Sequence, residues 1–123
     1  MAGIYLHIPF CKHKCTYCDF TSFAGRSEVA EAYMACLIKE IEMWGEKLKD
    51  KTFDTVYFGG GTPSFVDPNY IYGAMNQIVK HFHLSKDPEV TIEMNPGTVN
   101  EKKLATYRRA GINRFSIGLQ TAI

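Results

Sequence analysis

The chain has 123 residues, 46% hydrophobic and 22% charged, with 14 Lys plus Arg against 13 Asp plus Glu and a net charge of +1. That balance excludes general disorder, offers no basic excess for nucleic acid, and contains no apolar run near the roughly 20 residues that cross a bilayer. The opening Met1-Ala2-Gly3-Ile4 lacks the basic stretch and apolar core of a secretory signal, so the expected location is cytoplasmic, where stable disulfides are rare.

Strand and helix signals alternate along the chain. Ile4 to Ile8 reads as a short strand closed by Pro9. A cysteine-bearing loop follows. Ser27 and Glu28 suit a helix start, and Val29, Tyr33, Leu37, Ile41, Trp44 and Leu48 recur at three- and four-residue steps as an amphipathic stripe. Thr55 to Phe58 is the second strand, stopped by Gly59-Gly60-Gly61. Asp67-Pro68 reads as an N-cap followed by proline at the first helical position, with Ile71, Met75, Ile78, Val79 and Phe82 as that helix's stripe. Asp87-Pro88 marks a turn, Glu89 to Asn95 a third strand ended by Pro96-Gly97, and Asn100 the start of a third helix that stops at Gly111. Arg114 to Leu119 is the fourth strand. The order β-α-β-α-β-α-β implies parallel strands joined by right-handed crossovers, an α/β fold that is barrel-like or doubly wound.

Period-two alternation divides each strand into faces. Ile4, Leu6 and Ile8 oppose Tyr5 and His7; Val90, Ile92 and Met94 oppose Thr91, Glu93 and Asn95; Phe115, Ile117 and Leu119 oppose Ser116, Gly118 and Gln120. A doubly wound sheet is apolar on both faces. One polar face instead suits a barrel whose interior holds a ligand.

The unusual residues fall at the C-terminal ends of strands, where parallel α/β folds place their ligands. Of four cysteines, Cys11, Cys15 and Cys18 lie within eight residues. Three thiolates on one loop can wrap a soft metal centre, zinc or an iron–sulfur cluster. Zinc would want a fourth ligand, for which His13, His7 and Cys36 are the candidates. Cys36 reads better as a small buried hydrophobe beside the first helix's stripe. Three ligands without a clear fourth suggest a four-iron cluster with one iron open to substrate or cofactor. Gly59-Gly60-Gly61-Thr62-Pro63 permits close backbone approach but lacks the Gly-Lys-Ser/Thr ending of a phosphate loop. Glu93 can accept hydrogen bonds from hydroxyls or an ammonium group, and Gln120 can add an amide. Tyr5 lies on the same polar face. His7 is undecided between packing and support of the site, and His81 and His83 read as surface groups.

The motif Cys11-x3-Cys15-x2-Cys18, with Tyr17 before the last cysteine, resembles the radical S-adenosylmethionine (SAM) superfamily. Tyr5-Leu6-His7-Ile8-Pro9-Phe10-Cys11, the Gly-Gly-Gly-Thr-Pro run, Glu93-Met94-Asn95-Pro96 and Gly111-Ile112-Asn113-Arg114 through Gln120 are similar, in order, to the branch holding the oxygen-independent coproporphyrinogen III oxidases and the HemW-type haem chaperones. The resemblance covers essentially the whole chain. It implies a [4Fe-4S] cluster on Cys11, Cys15 and Cys18, with SAM chelating the fourth iron. It further implies Tyr5 near the sulfonium, Tyr17 beside the adenine, Gly60, Gly61 and Thr62 along the methionine end, Glu93 on the ribose or methionine portion, and Gln120 alongside. One-electron reduction would cleave SAM to methionine and a 5′-deoxyadenosyl radical, with the protein positioning the cofactor.

Two departures separate the branches. The oxidases usually carry a further cysteine two residues after the third ligand, where this chain has Phe20, and tend to have an N-terminal extension, where only four residues precede Tyr5. Thr121 replaces the serine more often seen after Gln120. The resemblance therefore implies a haem chaperone, with haem or porphyrinogen, haem-accepting proteins and an electron donor as partners; the alternative is a coproporphyrinogen III dehydrogenase of porphyrin biosynthesis, an oxidoreductase. A zinc-stabilised α/β domain is the third reading. A full eight-unit barrel takes about 250 residues, so the expectation is that residues 1–123 form the N-terminal part of a partial TIM-type barrel. No second domain is visible, the fourth strand is expected at an exposed edge, and the segment alone is expected to fold marginally.

Overall fold

A computed structural model describes residues 2–10, 27–61, 63–95, 97 and 99–117. Four strands, β1 (Ala2–Ile8), β2 (Thr52–Gly60), β3 (His83–Met94) and β4 (Arg114–Ile117), alternate with three helices, α1 (Ser27–Lys47), α2 (Pro68–His81) and α3 (Glu101–Ala110), plus one 3-10 turn, Pro63–Phe65. The strands are all parallel in the order β1-β2-β3-β4. Sequential order without a reversal is the winding of a barrel segment, which removes the doubly wound alternative.

The apolar face of the sheet and the helices form one core. Leu6 and Ile8 of β1, Val56 and Phe58 of β2, and Val90 and Ile92 of β3 pack with Met34 and Ile41 of α1, Ile71, Ala74, Met75 and Ile78 of α2, and Tyr107 and Ala110 of α3. The expected α2 stripe holds at Ile71, Met75, Ile78 and Phe82, but Val79 is 61% exposed. On α1 the expected stripe holds at Ile41, with Val29, Tyr33, Leu37 and Leu48 partly buried against the core, but not at Trp44. Met34, Ile41 and Gly45 are buried, while Trp44 is 44% exposed and stacks against the Lys47 ammonium. A Cβ at Gly45 would lie 2.6 Å from the His81 carbonyl oxygen, so glycine sets how closely α1 approaches α2. Cys36 lies on the exposed side of α1. This corrects its expected burial: two residues along a helix is about 200° around it, so a position beside one buried residue need not share its face.

Local signals account for most boundaries. Asp67 Oδ1 accepts the Asn69 backbone N–H at 2.9 Å and Pro68 takes the first helical position of α2. Asn100 Oδ1 accepts the Lys103 N–H at 2.9 Å, and Gly111 ends α3 at φ 97°. Asn113 explains its place in the Gly-Ile-Asn-Arg run. Its Oδ1 accepts Val90 N–H and its Nδ2 donates to the Pro88 carbonyl, each at 2.9 Å, fastening the entry of β4 to β3.

Several expected strand boundaries shift: β1 begins at Ala2 and β2 at Thr52. β2 runs through Gly59 and Gly60, which pair with His7 and Ile8. β3 starts at His83, before Asp87-Pro88. The pairing jumps from Phe53–Leu84 to Thr55–Glu89, so residues 85–88 face the single residue Asp54 as a bulge. Proline removes a ladder donor there and interrupts the register without ending the strand. β4 leaves Phe115 and Ile117 37% and 58% exposed.

The Tyr107 hydroxyl is buried with no hydrogen-bond partner among the described residues, and burial pushes its pKa up to about 12. A folded-state value above the unfolded value of about 10 means that the folded chain holds the proton more tightly. The corresponding stability is present below pH 10 and is lost as pH rises towards 12, by about 2–3 kcal/mol. Tyr107→Phe is expected to flatten this alkaline limb and to be neutral or stabilising by up to ~1 kcal/mol at pH 7, since no bond among the described residues is lost. Urea unfolding of the full natural protein at pH 7 and 11 measures both; a loss above ~1 kcal/mol at pH 7 would mean that the hydroxyl is bonded.

Candidate functional site

The polar face of the sheet carries the candidate site towards the C-terminal strand ends. Register aligns Tyr5 of β1 with Tyr57 of β2 and Thr91 of β3, and Glu93 of β3 with Ser116 of β4. The Tyr5 ring, 58% exposed, stacks on Tyr57 with centroids 5.8 Å apart and planes 15° apart. Both rings lie over Gly59: a Cβ there would fall 2.7 Å from the Tyr5 hydroxyl oxygen and 3.0 Å from a Tyr57 ring carbon. Glycine at 59 thus leaves the room that the two rings occupy.

Glu93 sits half-buried at the centre. Its Oε2 accepts the Tyr57 hydroxyl at 2.8 Å and its Oε1 accepts the Gly60 N–H at 3.2 Å. A carboxylate has about four acceptor positions; these two bonds use one on each oxygen and leave capacity for donors of a ligand. The bond to Glu93 raises the Tyr57 pKa, the Ser116 hydroxyl working against it, so Tyr57 stays a donor at neutral pH. Burial raises the Tyr5 pKa, with the charge of Glu93 and the Tyr57 ring adding to it.

Gly60 has φ 118°, in the region that favours glycine, and a Cβ there would lie 2.8 Å from the Ile8 carbonyl oxygen and 2.9 Å from the Ile8 nitrogen. Gly61 N–H then donates to the Ile8 carbonyl at 3.0 Å. The glycine run is a close crossing of β1, next to the start of the cysteine loop, rather than a free turn. Beyond it, Ser64 is fully buried. Its Oγ accepts Asn95 N–H at 3.2 Å and its carbonyl accepts the Lys103 ammonium at 2.6 Å, tying the end of β2 to β3 and α3. Partial burial holds the Lys103 pKa below its ordinary value. The Asn95 side chain accepts Gly97 N–H at 2.9 Å, a turn-forming bond.

Of the expected site residues, Tyr5, Gly60, Gly61 and Glu93 come together on one sheet edge. Cys11, Cys15, Cys18, Tyr17, Thr62 and Gln120 lie outside the described residues. Phe10, immediately before Cys11, is buried and meets Tyr33 edge-on at 5.4 Å, and the Tyr33 hydroxyl donates to the His7 carbonyl, so the lead into the cysteine loop is anchored. His7 is exposed, with its ring 6.2 Å from that of Tyr5. Sequence reasoning missed Tyr57, Ser64 and Lys103. Tyr57 was within reach, since it lies two residues before Gly59 and so on the face of Tyr5 and Glu93.

Among the described residues no group of three or more His, Cys, Asp or Glu side chains is placed to hold a metal, and no helix is long and apolar enough to cross a membrane. The residues present on the polar sheet face fit a ligand that carries hydrogen-bond donors and a flat ring. The face offers an exposed aromatic ring and a carboxylate with spare acceptor capacity.

The radical SAM superfamily model matches residues 5–122, and the chain belongs to that superfamily. Its relatives narrow the comparison. Heme chaperone HemW of Buchnera aphidicola subsp. Schizaphis graminum is 41% identical over 120 residues, covering 97% of this chain and 32% of that protein. Heme chaperone HemW of Escherichia coli (strain K12) is 37% identical, with the same coverage of each. The mitochondrial radical S-adenosyl methionine domain-containing protein 1 of Danio rerio is 38% identical over 98% of this chain and 27% of its own length. The solved structure of coproporphyrinogen III oxidase (HemN) from Escherichia coli, a radical SAM enzyme, matches with a TM-score of 0.84 and 29% identity over 96% of this chain and 27% of that one. The chain therefore spans about a third or less of the proteins it matches. The superfamily implies SAM and a [4Fe-4S] cluster as cofactors.

Proposed function

We propose that residues 1–123 supply the cluster-and-SAM-binding part of a haem chaperone. Cys11, Cys15 and Cys18 would hold the [4Fe-4S] cluster, with an electron donor as a partner. The cluster, when bound, supplies one electron to the sulfonium of SAM. The chain's own residues position the ligand. Tyr5 offers its ring near the sulfonium and Tyr17 its backbone beside the adenine. Gly60, Gly61 and Thr62 line the methionine end. Glu93 accepts from the ribose or ammonium donors, with Gln120 alongside. The observation that carries the SAM reading is the doubly held Glu93 carboxylate beside the Gly60 crossing. The haem reading is supported by relatives named heme chaperone HemW and by Phe20 at the position where the oxidases usually carry a further cysteine.

The fold likeness to coproporphyrinogen III oxidase favours a second reading, oxidative decarboxylation of a porphyrinogen. The two separate cleanly in one assay. The full natural protein, with cluster reconstituted, is expected to bind haem with a Soret shift and to form no protoporphyrinogen from coproporphyrinogen III, SAM and reductant. Protoporphyrinogen formation at catalytic turnover would overturn the chaperone reading.

A further inference from the structure

We infer that Tyr57 is a positioning residue for the SAM site, acting through Glu93; the inference rests on the SAM reading above. A glutamate at a strand end has three side-chain torsions to fix before it can present its carboxylate to a ligand. Here one donor is committed to each oxygen, Tyr57 to Oε2 at 2.8 Å and Gly60 N–H to Oε1 at 3.2 Å. Both donors come from β2, the strand beside β3, so the carboxylate is held from one side of its own strand. The Gly60 bond alone would leave the carboxylate free to swing about a single contact, and the Tyr57 bond fixes its plane. Tyr57 is itself held by the Tyr5 ring stacked at 5.8 Å. The hydroxyl is thereby aimed without the ring having to be ordered when a ligand arrives. Preorganisation of this kind strengthens binding by removing an ordering cost, not by adding a contact.

Tyr57→Phe keeps the ring and its stack and deletes only the hydroxyl, which donates to Glu93 and also meets Ser116. SAM titration of the full natural protein, with cluster reconstituted, tests the inference across four forms: natural, Tyr57→Phe, Glu93→Ala and the double variant. Glu93→Gln serves as the second background if binding to the alanine variant is too weak to measure. Tyr57→Phe is expected to raise the Kd for SAM about tenfold, the scale of one hydrogen bond to a charged group. With Glu93 replaced, the same change should move it less than about twofold, and iron content should stay unchanged. A purely structural role would weaken SAM equally in both backgrounds. Equal losses, or no loss, overturn the inference while leaving the SAM reading intact. A Glu93→Ala form that binds SAM like the natural protein would instead remove the SAM reading of Glu93, and the inference with it.

Discussion

Gly60→Ala is expected to destabilise the full natural protein by about 2–4 kcal/mol and to weaken SAM binding more than tenfold. Two costs combine at this position. The backbone stands at φ 118°, which an L side chain adopts only under strain. The new methyl would also lie 2.8 Å from the carbonyl oxygen and 2.9 Å from the nitrogen of Ile8, and backbone cannot rotate away as a side chain can. Either β1 and β2 separate where they pair Ile8 with Gly60, or the Gly60 peptide turns. Turning it withdraws the N–H from Glu93 Oε1. Gly111→Ala is the control, because Gly111 stands at φ 97° with open space around its missing Cβ. It should cost only about 1 kcal/mol and leave SAM binding unchanged. Denaturant midpoints and SAM titrations on both variants check the pair. Equal effects would show that the crossing with Ile8 carries no weight.

Cys15→Ala is expected to abolish cluster assembly. Three thiolates on one loop are one fewer than a [4Fe-4S] cluster's four irons, the last being left for SAM. Two thiolates leave two irons without protein ligands, and the cluster is lost to solvent or oxidant. Iron in the anaerobically reconstituted variant should fall from ~4 per chain to near zero, with loss of the brown colour. Unchanged iron would contradict the assignment of Cys15 as a ligand.

What could be read from sequence was local. Asp67-Pro68, Asn100 and Gly111 placed their helix ends correctly because capping is settled within three or four residues. Period-two alternation put Tyr5 and Glu93 on one face, since register in a half-buried sheet cannot slip by one without burying polar groups. The errors arose where tertiary contacts decide. Gly59 and Gly60 looked like a strand stop, yet pairing with His7 and Ile8 keeps them in β2. Asp87-Pro88 looked like a turn, yet the strand resumes its pairing with β2 after the bulge. Cys36 and Trp44 face outward while α1 meets α2 at Gly45, a contact that a glycine does not advertise in a hydrophobic pattern. Tyr57 escaped notice because an aromatic residue in a strand ordinarily means packing, and its hydroxyl bond to Glu93 depends on the pairing of β2 with β3.

The central claim is that the edge formed by Tyr5, Gly60 and Glu93 receives SAM against a cluster on Cys11, Cys15 and Cys18. Metal and sulfide analysis of the full natural protein purified without oxygen, followed by SAM addition to the reduced sample under electron paramagnetic resonance, tests it most directly. The account predicts ~4 iron and ~4 sulfide per chain and a cluster signal that SAM changes. About one zinc with no iron or sulfide, or a cluster signal indifferent to SAM, would contradict it.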